Sequence, residues 1–268
     1  MNPPIISRHN ELFVYKKLDA AQQHLYEQQG YLRLGRLLTG EAIEQMRSEC
    51  MEAWSAEKGE FDAGNTWLQN ALLPNIHHQS ETVRRYCFQG PLVDMAQDVI
   101  GPNIKGATSQ LTFKMRGNTM PFGWHQDNGY GELDPYNSLT TLTVLDDADE
   151  ENGCLWIVPG SHNQGQINVR LTPEEKQAGK EVKVEADERW AIPVPMAAGE
   201  AIAFHCWMLH KSEGNRSKER HRRILLLRYA DADAVEVYND RKPRLGRLLR
   251  GKASFPEVEQ FELHLPLY

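Results

Sequence analysis

The chain is poor in cysteine. Its 268 residues hold only four, Cys50, Cys87, Cys154 and Cys206, widely spaced and with no C-x-x-C pair. That excludes a disulfide-stapled scaffold and leaves reduced thiols in a cytoplasmic setting as the expectation. No apolar run approaches the roughly 20 residues that a membrane helix needs. Residues Met1 to Lys17 lack the basic-then-apolar pattern of a secretory signal, so a cytoplasmic protein without membrane contact is expected. Positive charge is scarce too: 30 Lys and Arg stand against 37 Asp and Glu, a net charge of −7. Nucleic-acid binding usually carries a basic footprint, so no nucleic-acid partner is expected. The one basic stretch, Arg241 to Lys252, reads as a solvated face first and as a partner patch second. Repeats, low-complexity tracts and linkers rich in Gly, Pro or Ser are missing as well. One domain over residues 1–268 is therefore expected, large enough to bury a core without staples.

What is present divides by texture. Asp19 is a plausible N-cap for a helix running to Gln29, which stops before Gly30. Gly40 to Lys58 places Ile43, Met46 and Met51 at helical spacing. Glu81 to Phe88 and Leu92 to Ile100 suggest two shorter helices, and Gly101-Pro102 ends this helical part, about residues 1–102. From Lys105 to about residue 230, short β-branched and aromatic segments alternate with turn residues. They are Gln110 to Met115, Leu139 to Leu145, Leu155 to Val158, Glu181 to Val184, Ala201 to Phe204 and Ile224 to Tyr229. Many short strands without intervening helices predict a mainly β fold, an all-β barrel or double-sheet roll, with the N-terminal helices packed outside. In the tail, residues 231–268, Phe255, Phe261 and Leu263 suggest packing back onto the domain.

Three residues suggest a metal centre. His125 and Asp127 stand two apart, and on an extended strand such residues face the same side. H-x-D alone is a weak signal. His210, downstream of the apolar strand Glu200 to Phe204, completes two histidines and one carboxylate. That facial set leaves half of an iron's coordination positions open, as non-haem Fe(II) oxygenases require. Arg222 opens a strand, and a guanidinium can grip a carboxylate through two parallel hydrogen bonds. The remaining histidines have plainer readings. His162 closes a turn, and His205 is the nearest competitor of His210. His77, His78 and His221 are read as ordinary polar residues. Trp124, Trp156 and Trp207 are read first as core.

Taken in order, these pieces resemble the phytanoyl-CoA dioxygenase family of Fe(II)/2-oxoglutarate oxygenases. Trp124 to Asp127 matches its W-H-Q-D signature. Asp146-Asp147, Glu151-Asn152-Gly153 and Pro159-Gly160-Ser161-His162 match its D-D…E-N-G…P-G-S-H run. Ala198-Gly199-Glu200 with Ala203-Phe204-His205 matches A-G-D…F-H. His210, Ser212, Asn215, Ser217 and Arg222 match its H-x-S-x-x-N-x-S…R ending. The likeness covers about Lys105 to Ala230. It implies a double-stranded β-helix, the jelly-roll or cupin-like fold. It also implies Fe(II) on His125, Asp127 and His210, with 2-oxoglutarate and O2 as co-substrates. Arg222 would bind the far carboxylate of 2-oxoglutarate, assisted by Ser212 and with Thr112 in contact. The spacing from Asn215 to the arginine is one residue longer than the family pattern, so Arg223 stands as a rival. Strand alternation favours Arg222, because only one of two neighbours can face inward.

The implied reaction is hydroxylation of an unactivated C–H bond of a small molecule, with 2-oxoglutarate decarboxylated to succinate. The carboxylate of Asp127 favours this over halogenation, in which a small residue makes room for chloride. Desaturation and ring formation stay open. Two other readings are a metal-binding sensor of the same fold and a zinc or manganese hydrolase or isomerase. Gln126, Asn128, Tyr130, Arg116 and Trp207 are candidate substrate contacts and suggest a polar or anionic small molecule.

Overall fold

Strand alternation on one long β-strand shows how the chain partitions its core. In Arg222–Asp231, the side chains of Arg222, Ile224, Leu226 and Arg228 line a cavity. The intervening Leu225, Leu227 and Tyr229 are fully buried in a hydrophobic cluster with the helices. The strand thus faces a site on one side and a helical layer on the other, as a period of two dictates. This computed structural model describes residues 12–59, 71–127, 133–167 and 184–267.

Helices α1 (Ala20–Gln29), α2 (Gly40–Glu57), α3 (Glu81–Gln89) and α4 (Pro91–Ile100) fall close to the expected spans. Asp19 caps α1 in a capping box with Gln22, and Thr39 and Ser80 accept from the first turns of α2 and α3. These side-chain oxygens satisfy amides that have no partner within a helix. Gly30 ends α1 at φ 75. A Cβ there would lie 2.3 Å from His162 Nδ1, so only glycine allows the approach.

Between and after the helices run β1 (Tyr31–Arg36), β2 (Leu72–Pro74), β3 (Ile104–Lys114), β4 (Phe122–His125), β5 (Leu133–Asp134), β6 (Leu139–Val144) and β7 (Leu155–Ile157). Then come β8 (Ile192–Val194), β9 (Glu200–His205), β10 (His210–Ser212), β11 (Arg222–Asp231), β12 (Val235–Glu236), β13 (Lys242–Pro243), β14 (Arg247–Arg250) and a short helix, α5 (Pro256–Gln260). The larger sheet is ordered β1-β9-β6-β11-β3-β14, with β2 also on β3; the smaller is β4-β10-β7-β8. A third, small sheet joins β13, β12 and β5. Leu142, Val144, Leu155, Ile157, Phe204 and Ile224 pack between the two main sheets. This is the mainly β, double-stranded β-helix expected, with helices against the outer face of the larger sheet.

Three expectations are corrected. The mainly helical N-terminal part also holds an unexpected strand: Tyr31–Arg36 pairs with β9, so the larger sheet recruits it. Its apolar Leu32 and Leu34 alternate with polar neighbours, a short period-two signal beside strong helical ones. Strand β3 starts at Ile104 and not at Gln110, because β11 and β14 both pair with its first half. The basic stretch Arg241 to Lys252 is not simply a solvated face. Arg247 is buried and donates to the carbonyls of Glu262 and Leu265, which folds the tail back onto the barrel. The tail is anchored through Arg247, Val258 and Glu262, while Leu263 is exposed. Residues 181–183 of the expected strand at Glu181 to Val184 lie outside the described residues. Among the described residues, no helix is long and apolar enough to cross a membrane.

Candidate metal centre and its cavity

Strands β4 and β10 pair antiparallel, with His210 directly opposite His125. That single register brings two distant histidines to a ring separation of 4.0 Å. Asp127 follows β4 and returns its carboxylate to the same place. Its Oδ1 lies 3.5 Å from His210 Nε2 and 4.0 Å from His125 Nε2. One donor atom from each residue lies within 4.8 Å of the other two. These spacings exceed hydrogen bonds and leave room for an ion about 2.0–2.2 Å from each donor.

Backbone carbonyls set the imidazole tautomers. His125 Nδ1 is 2.9 Å from Gly123 O, and His210 Nδ1 is 2.9 Å from Met208 O. A carbonyl can only accept, so each Nδ1 carries a proton and Nε2 is the nitrogen that faces Asp127. Thr140 donates its hydroxyl to Asp127 Oδ2, which leaves Oδ1 for the histidines. Burial, then the neighbouring His210, push the His125 imidazolium down to about 3, so the ring is neutral at ordinary pH. Burial alone would raise the Asp127 carboxyl. His210, Arg228 and His125 outweigh it and hold Asp127 well below the usual range. A neutral His125 imidazole and an ionised Asp127 carboxylate are protonation states that allow a metal to bind.

The three residues open onto a cavity of about 300 Å3 between the sheets. Thr108, Gln110 and Thr112 of β3 line one wall beside Arg222, Ile224, Leu226 and Arg228 of β11. Arg222 is 2% exposed. Its Nη1 donates to Gly153 O at 2.9 Å, while Nε and Nη2 are buried with no hydrogen-bond partner among the described residues. Burial pushes its guanidinium down to about 10. A buried cation with two idle N–H donors is costly unless an acceptor arrives, and a carboxylate fits that pair. Arg223 faces the other way. Its Nε and Nη2 hold Asp146 at 2.7 and 2.6 Å. Ser212 and Thr112 both line the cavity near Arg222.

The candidate substrate contacts scatter. Gln126 lines the cavity, but its amide is taken by the backbone. Its Nε2 donates to Gly165 O and Trp207 O, and its Oε1 accepts from the Ile167 N–H. Trp207 stacks on Tyr136 and does not line this cavity. Arg116 is exposed and off its wall. Asn128 and Tyr130 lie outside the described residues. Trp124 and Trp156 flank the Lys211 ammonium. Sequence reasoning missed Thr140, Lys114, Gln110 and Arg244, while strand alternation already puts Arg228 on the face of Arg222. Gln110 and Lys114 continue the two-residue period of Thr112 and could have been found by it. Arg244, from the tail, carried no such signal.

His205 takes no part in the triad. Its ring packs 5.3 Å from His162 and lines a separate cavity with Tyr136. His77 and His78 are polar residues that hold the tail. Both turn Nε2 to Glu262 of the tail, at 3.1 and 2.6 Å. Those are hydrogen-bond distances, shorter than the spacings in the triad, so protons hold this group together.

Comparison with known proteins follows this geometry. The family model described as phytanoyl-CoA dioxygenase (PhyH) matches residues 26–224. The chain is 29% identical over 171 residues to phytanoyl-CoA dioxygenase domain-containing protein 1 of Danio rerio, covering 60% of this chain and 57% of that one. The match thus spans little more than half the length of that relative. It is 27% identical over 236 residues to methylphosphonate hydroxylase of Gimesia maris, covering 85% and 87%. Among solved structures, EctD from S. alaskensis with 2-oxoglutarate and 5-hydroxyectoine superposes with a TM-score of 0.69 at 22% identity, covering 92% of this chain and 91% of that one.

Proposed function

Because this chain belongs to the phytanoyl-CoA dioxygenase family, we propose that it is an Fe(II)- and 2-oxoglutarate-dependent hydroxylase of a small molecule. In this reading His125, Asp127 and His210 hold Fe(II), and Arg222 grips the far carboxylate of 2-oxoglutarate. The observation that carries it is a conjunction: three converging metal donors and, in the same cavity, a buried guanidinium with two unpaired nitrogens. A zinc hydrolase would use the first and leave the second without purpose. Relatives named methylphosphonate hydroxylase, ectoine dioxygenase and L-proline trans-4-hydroxylase support a small substrate.

Bound together, iron and 2-oxoglutarate would let O2 act as the oxidant, taking two electrons from 2-oxoglutarate, which becomes succinate and CO2, and two from a C–H bond, which becomes an alcohol. The protein's own part is placement. Gly123 and Met208 carbonyls lock the imidazole tautomers, and Thr140 orients the carboxylate. Arg222 and Ser212 fix one end of the co-substrate, which sets its other end toward the metal. Leu72, Phe122, Leu142, Leu155, Ile224 and Leu226 form an apolar wall that excludes water from the reacting carbon. Thr108, Gln110, Arg228 and Arg244 supply polar contacts for the substrate at the other end.

The test is anaerobic addition of Fe(II) and 2-oxoglutarate to metal-free protein, followed by visible absorption. A weak charge-transfer band that needs both components is expected, and succinate should form when O2 and a substrate are admitted. Tight binding of another metal with no band would replace this reading by a non-oxygenase one.

A further inference from the structure

Strand register sets Lys114 directly opposite Arg222. Lys114 extends the row Thr108, Gln110, Thr112 that lines the cavity, so both cations share one face of adjacent strands. Both are buried, Lys114 at 0% and Arg222 at 2% exposure. Like charges directly opposite each other destabilise a sheet, and burial enlarges that cost. No carboxylate bonds to either one among the described residues. Lys114 Nζ instead donates to Ser212 Oγ at 2.9 Å, to Ser212 O at 3.2 Å and to Glu213 O. Burial and then Arg222 push its ammonium down to about 6, so the lysine holds its charge near neutral pH only where a neighbouring anion relieves that penalty.

We infer that Lys114 is a positioning residue for the 2-oxoglutarate carboxylate, acting through Ser212 and through its charge beside Arg222. The inference rests on the proposed function. A serine hydroxyl has one proton and two acceptor lone pairs. Lys114 occupies an acceptor position, and so orients the Ser212 hydroxyl to donate into the cavity that Ser212 and Arg222 both line. The carboxylate then receives Ser212 and Arg222 together. Lys114 completes a charge pair that is unfavourable alone and favourable around an anion.

The experiment is a titration of 2-oxoglutarate into anaerobic Fe(II) protein, read by the charge-transfer band, alongside thermal melts without ligand. Lys114→Met and Lys114→Gln are compared with Ser212→Ala and with the Lys114→Met/Ser212→Ala double variant. Each Lys114 variant should weaken 2-oxoglutarate binding about tenfold, on the scale of one charge-assisted hydrogen bond. The double variant should bind no more weakly than the worse single one, because both changes break one chain of contacts. Lys114→Gln keeps a donor for the Ser212 and Glu213 carbonyls, so it gives a folded protein if the Met variant does not. A lowered melting temperature with unchanged 2-oxoglutarate affinity would make Lys114 merely structural and overturn the inference, as would strictly additive losses. A wild-type protein with no band overturns the proposed function together with this inference. A normal wild-type band with unaffected Lys114 variants overturns this inference alone.

Discussion

Asp127 divides its carboxylate: Oδ2 accepts the Thr140 hydroxyl, and Oδ1 lies 3.5 Å from His210 Nε2. Thr140 lies on β6, next to β11, so the larger sheet reaches across the cavity to aim a residue that follows the smaller one. The candidate metal centre thus depends on both sheets, although its ligands come from one side.

That division makes Thr140 a sharper test than the ligands themselves. Thr140→Val keeps shape and strand propensity but removes the donor to Asp127. Iron affinity should fall about 10- to 100-fold, the usual cost of losing a group that orients a ligand. Equilibrium Fe(II) titration measures it, and an unchanged affinity would show that Asp127 needs no such support.

Replacing a candidate ligand should do more. His210→Ala and Asp127→Ala should each reduce iron-dependent succinate formation by more than about a hundredfold, with circular dichroism unchanged. Full activity in either variant would remove the triad from the mechanism.

Arg222 and Arg223 are adjacent, and opposite outcomes are expected. Arg222→Leu should raise the 2-oxoglutarate requirement between about tenfold and a hundredfold. The ligand-free protein should melt no lower than wild type, since the change removes a buried charge with two unpaired nitrogens. Arg223→Leu should leave 2-oxoglutarate binding intact and lower stability, because Asp146 loses both guanidinium hydrogen bonds and, among the described residues, keeps only Arg47 at 3.3 Å and the backbone N–H of residue 223. The reverse pattern would shift the co-substrate site by one residue.

The tail should respond to acid. Burial opposes ionisation of Glu262, but hydrogen bonds from His77 and His78 outweigh it and hold the carboxyl below its ordinary 4.5. A depressed folded value means that the unfolded chain takes up protons first as pH falls. The contribution to stability is therefore complete above about 4.5 and is lost as pH drops through the lower folded value. Hydrogen exchange of β14 and α5 between neutral pH and about pH 4 should show the tail loosening toward acid. Glu262→Gln should loosen it at neutral pH and flatten the pH dependence; an unaltered profile would mean that the tail is held elsewhere.

Residue identity and local spacing were enough for some of this. Asp19 before its helix and the H-x-D pair can be read from the chain because a helix cap and two same-side ligands are short-range facts. The order of the W-H-Q-D, P-G-S-H and H-x-S pieces identified the family for the same reason. Substrate contacts fared worse. Gln126 and Trp207 are near the triad in sequence, yet the backbone claims the amide of one and Tyr136 covers the ring of the other. Proximity along a chain does not say which way a side chain turns.

The sequence by itself determined which candidate donors exist, the fold class and most helix boundaries, since these follow from which side chains exist and how they repeat over a few residues. Tertiary structure decided the rest. The β4–β10 register brought His125 and His210 together, the β3–β11 register set Lys114 against Arg222, and the returning tail placed Glu262 between His77 and His78. Each is a pairing between distant segments, fixed only when burial selects one register, and a slip of one residue would turn every such side chain to the opposite face.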